Sequence, residues 1–388
     1  MPYKIALLTA DAAYPRYPGS TPLSTDRLKI AYIKYTNIAQ PPPDAIVFNV
    51  LFAHGTGMNK VAFRTHIDKL FEYAELVGHL QKWFLNLVVA FDLIGHGDSA
   101  VLNQGKLGWV FRWEDQGRDV LELIKQQQDI YGDFYNDASH KAILIGHSFG
   151  ATCNAFAAVF DHSAFDTVIA LEPVSLFGDP DTAKAAKKRF AKLAHIIKDK
   201  FPDEETYYKS FKRSPVFLGF DKTIAKDIAE AEKWSQPDGS YRTKALTQQQ
   251  MITYLGAMDS VPRLMNLYKT LRLHFVHVIG LKSAWNPPDA NVYVRDQIPS
   301  EFLTTYDLEE GEHNVFAQRP EDFNEVIRDV ILKRAEVGHA NWNKYPEVKF
   351  RGKPLEMIQD EIAHVERLLK DPNAVSYSKA QAEPAAKL

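Results

Sequence analysis

Five residues, Gly146-His147-Ser148-Phe149-Gly150, have the types and spacing for nucleophilic chemistry. Residues 141–145 before them read as a short buried strand, and residues 151–160 after them read as a packed helix. A serine on such a sharp strand-to-helix turn stands clear of the sheet, with the helix N-terminus beneath it. Glycines are needed on either side because side chains there would clash. That placement exposes an oxygen nucleophile and aims N–H groups at a developing anion.

A serine hydroxyl is a weak nucleophile at neutral pH, so it needs a base, and the base needs an orienting acid. Of the 13 histidines, His313 alone stands just beyond the last expected strand (302–308) and before the final core helix (320–335). It is the expected base. For the acid, Glu172 ends the apolar strand 167–174, where a charge without a partner would be costly to bury. Asp289 is the alternative acid, as the first carboxylate after the strand 273–280, beyond Pro287 and Pro288. The oxyanion hole should take the backbone N–H of Phe149 and that of Thr56, with Gly57 second in the His54-Gly55-Thr56-Gly57 loop.

Parallel strands covered on both faces are the elements that can bring these positions together. Residues 28–35, 45–52, 85–92, 141–145, 167–174, 273–280 and 302–308 read as strands, separated by helical stretches at 60–77, 113–131 and 151–160. Gly55, Gly95, Ser148, Glu172, Lys282 and His313 all follow strands, and ligands bind at that end of such sheets. From about 175 to 261 the rhythm turns helical and charge-rich with no clear buried strand. The expected organisation is therefore a core at 1–174 and 266–340 of a mostly parallel α/β sheet, a helical cap at 175–265, and an extension with a tail at 341–388. Phe190, Phe201, Phe211, Phe217, Leu218 and Phe220 of the cap could line an apolar acyl pocket.

Composition bounds the rest. The 388 residues are 45% hydrophobic and 24% charged with a net charge of −3, so no basic excess argues for nucleic acid. The single cysteine, Cys153, excludes an intrachain disulfide. No apolar run reaches membrane-span length, and residues 1–8 lack a secretory signal pattern. His54, His96 and His147 fall on separate loops without ligand spacing, so no metal is expected. No glycine fingerprint follows the first strand, and no cofactor is expected. The chain ends in Ala386-Lys387-Leu388, similar to the S-K-L peroxisomal address, after a small and polar stretch.

Together these residues resemble the α/β-hydrolase superfamily and, within it, the fungal peroxisomal lipases. Residues 54–58, 103–108, 146–150, 171–174 and 283–288 carry the resemblance. It implies a serine ester hydrolase with a helical cap, a lipid or small-molecule ester as substrate, and a peroxisomal import receptor engaging Ala386-Lys387-Leu388. It also fits an acid missing after the late strand, which favours Glu172. The bulky Phe149 is a departure that would narrow the site, and the cap and tail match poorly. An acyl-CoA thioesterase or secondary-metabolite hydrolase of the same fold is the alternative. A non-catalytic scaffold is the second.

Overall fold

A computed structural model describes residues 2–341 and 354–371 of the chain. The tripeptide Ala386-Lys387-Leu388 lies outside the described residues. Along the chain run β1 (Tyr3–Asp11), β2 (Lys29–Asn37), β3 (Ile46–Ala53), α1 (Arg64–Val77), β4 (Trp83–Phe91), α2 (Gly97–Leu102), α3 (Trp113–Gln126), β5 (His140–His147), α4 (Phe149–Phe160) and β6 (Thr167–Leu171). Next come α5 (Pro180–Ile196), β7 (Lys200–Phe201), α6 (Glu204–Arg213), α7 (Lys222–Glu232), β8 (Lys233–Ser235), β9 (Tyr241–Thr243) and α8 (Thr247–Leu267). β10 (His274–Gly280), α9 (Pro288–Gln297), β11 (Leu303–Leu308), α10 (Val315–Gln318), α11 (Pro320–Asn341) and α12 (Pro354–Lys370) complete the path. Residues up to Leu332 form one compact unit, and those from Lys333 belong to a second that holds the end of α11 and α12.

Eight strands make one sheet in the order β1-β2-β4-β3-β5-β6-β10-β11. β1–β2 and β2–β4 pair antiparallel, and every other neighbour pair is parallel. The continuous apolar runs explain the centre: every side chain of β3 and β6 is buried, as doubly covered parallel strands require. Asn49 interrupts β3 without leaving an unpaired polar group. Its amide donates to the Tyr135 carbonyl at 3.1 Å and its oxygen accepts from Asn86 at 2.9 Å. On the sheet, α4 is almost entirely buried because its small residues let neighbours approach. At Gly117 of α3 a Cβ would stand 2.6 Å from that of Phe156, so this helix pair needs glycine there.

Three features differ from the sequence expectation. β1 was not expected as a strand; most of its side chains are exposed, so its apolar pattern is weak. The stretch 175–261, expected to be mainly helical with no clear buried strand, also forms a three-stranded antiparallel sheet, β7-β9-β8. Strands of two or three residues are too short to show a period of two. The helix expected over 113–131 changes at Gln127 to a π turn that ends at Gly132, whose φ is 64°.

Candidate active site

Ser148 leaves β5 with φ 53° and ψ −118°, a conformation non-glycine residues rarely adopt. The flanking glycines make that turn possible. A Cβ at Gly146 would sit 2.6 Å from the backbone of Ala151, and one at Gly150 would overlap the Ala53 carbonyl. The Ser148 N–H donates to the Leu171 carbonyl at 2.9 Å, tying the turn to the neighbouring strand.

His313 lies between the serine and a carboxylate. Its Nε2 is 3.1 Å from Ser148 Oγ, and its Nδ1 is 3.1 Å from Glu172 Oε2. A carboxylate can only accept here, so Nδ1 carries the proton and bare Nε2 accepts from the serine hydroxyl. Glu172 is buried, with φ 48°, and its charge is well partnered. Oε1 accepts from the Gly280 N–H at 2.7 Å, and Oε2 also accepts from Ser283 Oγ at 2.7 Å. Asp289 stands apart, in the first turn of α9, where its Oδ1 accepts from the Ala290 N–H at 3.1 Å.

Several supporting residues lie in segments that carry the family resemblance, 146–150 and 283–288, but the sequence assigned them no role. His147 Nε2–H donates to the His313 carbonyl at 2.8 Å, and its ring lies 4.9 Å from that of His313. Burial holds its pKa well below the usual histidine value, so it is neutral. Trp285 also stacks on His313: its ring centroid is 4.6 Å from that of His313 at an interplanar angle of 18°. Arg189 of α5 donates to the Trp285 carbonyl at 2.6 Å and lies 5.1 Å from the Trp285 ring centre. Asn286 Nδ2 donates to the Pro173 carbonyl at 2.7 Å and its Oδ1 accepts from Ser175 N. The loop after β10 therefore braces Glu172 and His313 rather than supplying a carboxylate to His313.

The loop after β3 is fixed from below and from above. Below it, His54 Nδ1–H donates to the Gly55 carbonyl at 2.8 Å, while Nε2 accepts from Leu93 N at 3.2 Å. Above it, Asn59 donates to the Ile228 carbonyl at 3.0 Å and to Glu232 Oε2 at 3.2 Å, both on α7. Asp92 accepts from Lys60 N, Lys60 Nζ and Asp98 N, which ties down the turn beside this loop. Thr56 lines the space in front of Ser148. Phe149 opens α4, where a first-turn N–H has no intrahelical acceptor. Its side chain corrects one expectation: the ring is fully buried against Trp113, Phe111 and His96, so it does not narrow the site.

Two chambers meet at Thr56 and Tyr254. The first, about 120 Å³, contains Ser148 with Trp113, Val174, Leu176, Phe190 and Ala257. The second, about 280 Å³, is lined by Phe201, Phe211, Phe217, Glu232 and Gln250 among others. Of the six cap residues expected in the acyl pocket, Phe190 alone lines the serine chamber. Leu218 is 73% exposed, and Phe220 lies 6.1 Å from Phe316, measured between ring centres. Among the described residues no group of histidine, cysteine, aspartate or glutamate side chains could hold a metal ion, and no helix is long and apolar enough to cross a membrane.

The model of the alpha/beta hydrolase family matches residues 50–326. The chain belongs to the α/β-hydrolase family. This α/β-hydrolase is 28% identical over 353 residues to the peroxisomal membrane protein LPX1 of Saccharomyces cerevisiae, covering 85% of this chain and 88% of the relative. Its fold matches the crystal structure of the S. cerevisiae peroxisomal alpha-beta-hydrolase Lpx1 with a TM-score of 0.79 and 23% identity, over 96% of this chain and 99% of that one. It also matches E-2-(acetamidomethylene)succinate hydrolase at a TM-score of 0.58 and 19% identity, over 84% and 99% of the two chains.

Proposed function

We propose that this α/β-hydrolase is a serine carboxylic-ester hydrolase of the lipase or esterase kind. The observation that carries the reading is the continuous hydrogen-bonded line from Ser148 Oγ through His313 to Glu172, opening on a chamber with apolar walls. His313 Nε2 takes the hydroxyl proton as Ser148 Oγ attacks the ester carbonyl carbon. The N–H groups of Phe149 and Thr56 hold the oxyanion that forms. Protonated His313 gives its proton to the leaving alcohol as the C–O bond breaks, leaving an acyl-serine. Water, deprotonated by His313, then releases the acid. Glu172 fixes the ring tautomer and stabilises its charged form throughout. No cofactor takes part in these steps.

The peroxisomal relative in yeast supports the peroxisome as this protein's place in the cell. A fluorescent fusion at the N-terminus should colocalise with peroxisomes and lose that pattern when residues 386–388 are removed.

The direct test of the chemistry is labelling by a fluorophosphonate. The native chain should label once and hydrolyse nitrophenyl esters, whereas a folded Ser148→Ala variant should do neither. Labelling that persists in Ser148→Ala would move the nucleophile elsewhere. No labelling and no turnover by the native chain would favour a binding role for the fold.

A further inference from the structure

The two chambers share only two lining residues, Thr56 and Tyr254. Thr56 belongs to the loop proposed to hold the oxyanion, so its side of the boundary marks where the ester carbonyl must sit. Tyr254, on α8, supplies the rest of the wall. Its ring stacks on Phe190 of α5 with centroids 5.2 Å apart at 28°. It also lies 6.3 Å from Trp285 at an interplanar angle of 49°, and the Trp285 ring in turn stacks on His313. Phe190, Tyr254, Trp285 and His313 thus form one series of neighbouring rings between α5 and His313. Moving Tyr254 would break its stack on Phe190, which makes it a firm part of the wall.

The chambers differ in character. The one containing Ser148 is walled mostly by apolar residues such as Trp113, Val174, Leu176, Phe190 and Ala257, with Thr182 and Arg189 also lining it, which suits an apolar acyl chain. The other mixes aromatic rings with Glu232, Gln250, Ser210 and Ser214, and Lys198 and Arg213 also line it. A polar leaving group can find hydrogen-bond partners there. Size then sets a limit. At about 120 Å³ the Ser148 chamber has less than half the volume of the second, about 280 Å³. A long acyl chain therefore has to pass Tyr254 or leave through the chamber's opening.

We propose that Tyr254 is the specificity-determining partition of the site: it confines the acyl part of the substrate to short and medium chains in the Ser148 chamber and reserves the second chamber for a larger, polar leaving group. This rests on the ester-hydrolase reading above. It assigns the substrate class as esters of short or medium acids with bulky alcohols, not long-chain fatty acyl esters.

The test measures kcat/KM for nitrophenyl esters of four, eight, twelve and sixteen carbons with the full chain, Tyr254→Ala, Tyr254→Leu and Tyr254→Phe. In parallel, octyl and hexadecyl fluorophosphonates are scored for the rate at which they label Ser148. The native chain should favour the eight-carbon ester over the sixteen-carbon one by tenfold or more. Tyr254→Ala should erase that ratio by gaining on the long ester, Tyr254→Leu should reduce it, and Tyr254→Phe should keep it. Labelling rates should follow the same order, which reads chain length without turnover. A native profile that is flat to sixteen carbons would overturn the proposal. So would a cut-off that survives in a folded Tyr254→Ala or Tyr254→Leu. Absence of both labelling and turnover in the native chain would sink the ester-hydrolase reading and this proposal with it. Labelling with the wrong length profile would sink the proposal alone.

Discussion

Ser148 and Glu172 are the next residues after a register pair: His147 of β5 faces Leu171 of β6, and both chains then turn out of the sheet with positive φ, 53° and 48°. The Ser148 N–H donates to the Leu171 carbonyl, so the two turns are physically joined. Such conformations persist only where the surroundings enforce them. Here the enforcement comes from adjacent parallel strands, and it places Ser148 and Glu172 side by side with His313 reaching both.

Replacing Glu172 by glutamine tests that placement. Oε1 of the new amide can still accept from Gly280 N, but its NH2 then faces Ser283 Oγ and His313 Nδ1. His313 would turn its N–H toward Ser148 and could no longer accept the proton. A wrong tautomer of this kind lowers kcat by on the order of 10⁴-fold. Steady-state kinetics of Glu172→Gln should show that loss, while Asp289→Asn should keep native kcat. The reverse pattern would hand the acid role to Asp289.

His147 is expected to act through His313. It holds the His313 carbonyl from a fully buried position. His147→Phe keeps a ring beside His313 but leaves that carbonyl without its donor, at a cost of about 1–3 kcal/mol. If the loss falls on the loop that carries the base, kcat should drop by roughly tenfold with KM little changed. An effect on KM alone would mean that His147 shapes the chamber instead.

How far the sequence alone leads can be judged from these same residues. Ser148 was legible because glycines two positions away announce a turn, and Glu172 because a carboxylate at the end of an apolar strand needs a partner. The parallel sheet was legible in β3 and β6, whose nearly continuous apolar runs have one common explanation. What His147 and Trp285 do was not legible, although both lie in segments that carry the family resemblance: their roles depend on a loop 28 and more residues distant in sequence. The partition at Tyr254 was hidden for the same reason, since α5, α8 and the loop after β10 meet only in the fold. β7, β8 and β9 were too short to leave any periodic trace.

Glu232 predicts a pH effect on stability. Burial raises its carboxyl from 4.5 to about 7, against the hydrogen bonds from Ala245 N and Asn59 and beside the charges of Asp92 and Lys244. An acid whose folded pKa is raised keeps a proton that the unfolded chain has lost. The native contribution is therefore intact below about pH 4.5 and declines as pH rises through 7, by up to about 3 kcal/mol. Glutamine at this position cannot ionise, so that decline should vanish. Denaturant unfolding at pH 5 and pH 8 should show Glu232→Gln gaining on the native chain as pH rises. A constant difference between the two proteins across that range would show that Glu232 titrates normally.

Trp285 should support the charged form of the base. Its ring lies parallel to His313 at 4.6 Å, so when His313 takes the serine proton the new positive charge forms against an aromatic face. Such contacts contribute about 0.5–2 kcal/mol, more when water is excluded. Because the charge exists in the transition state and not in the resting enzyme, the loss should appear in kcat. Trp285→Leu should lower kcat by about two- to thirtyfold at saturating substrate. Trp285→Phe retains a ring and should recover most of the rate. Arg189 tests whether the ring must be held as well as present, since its guanidinium grips the Trp285 carbonyl from α5. Arg189→Met removes that grip and should give a smaller loss in the same parameter. Native kcat in a folded Trp285→Leu variant would show that the ring only walls the chamber, and the stack on His313 would then have no part in the chemistry.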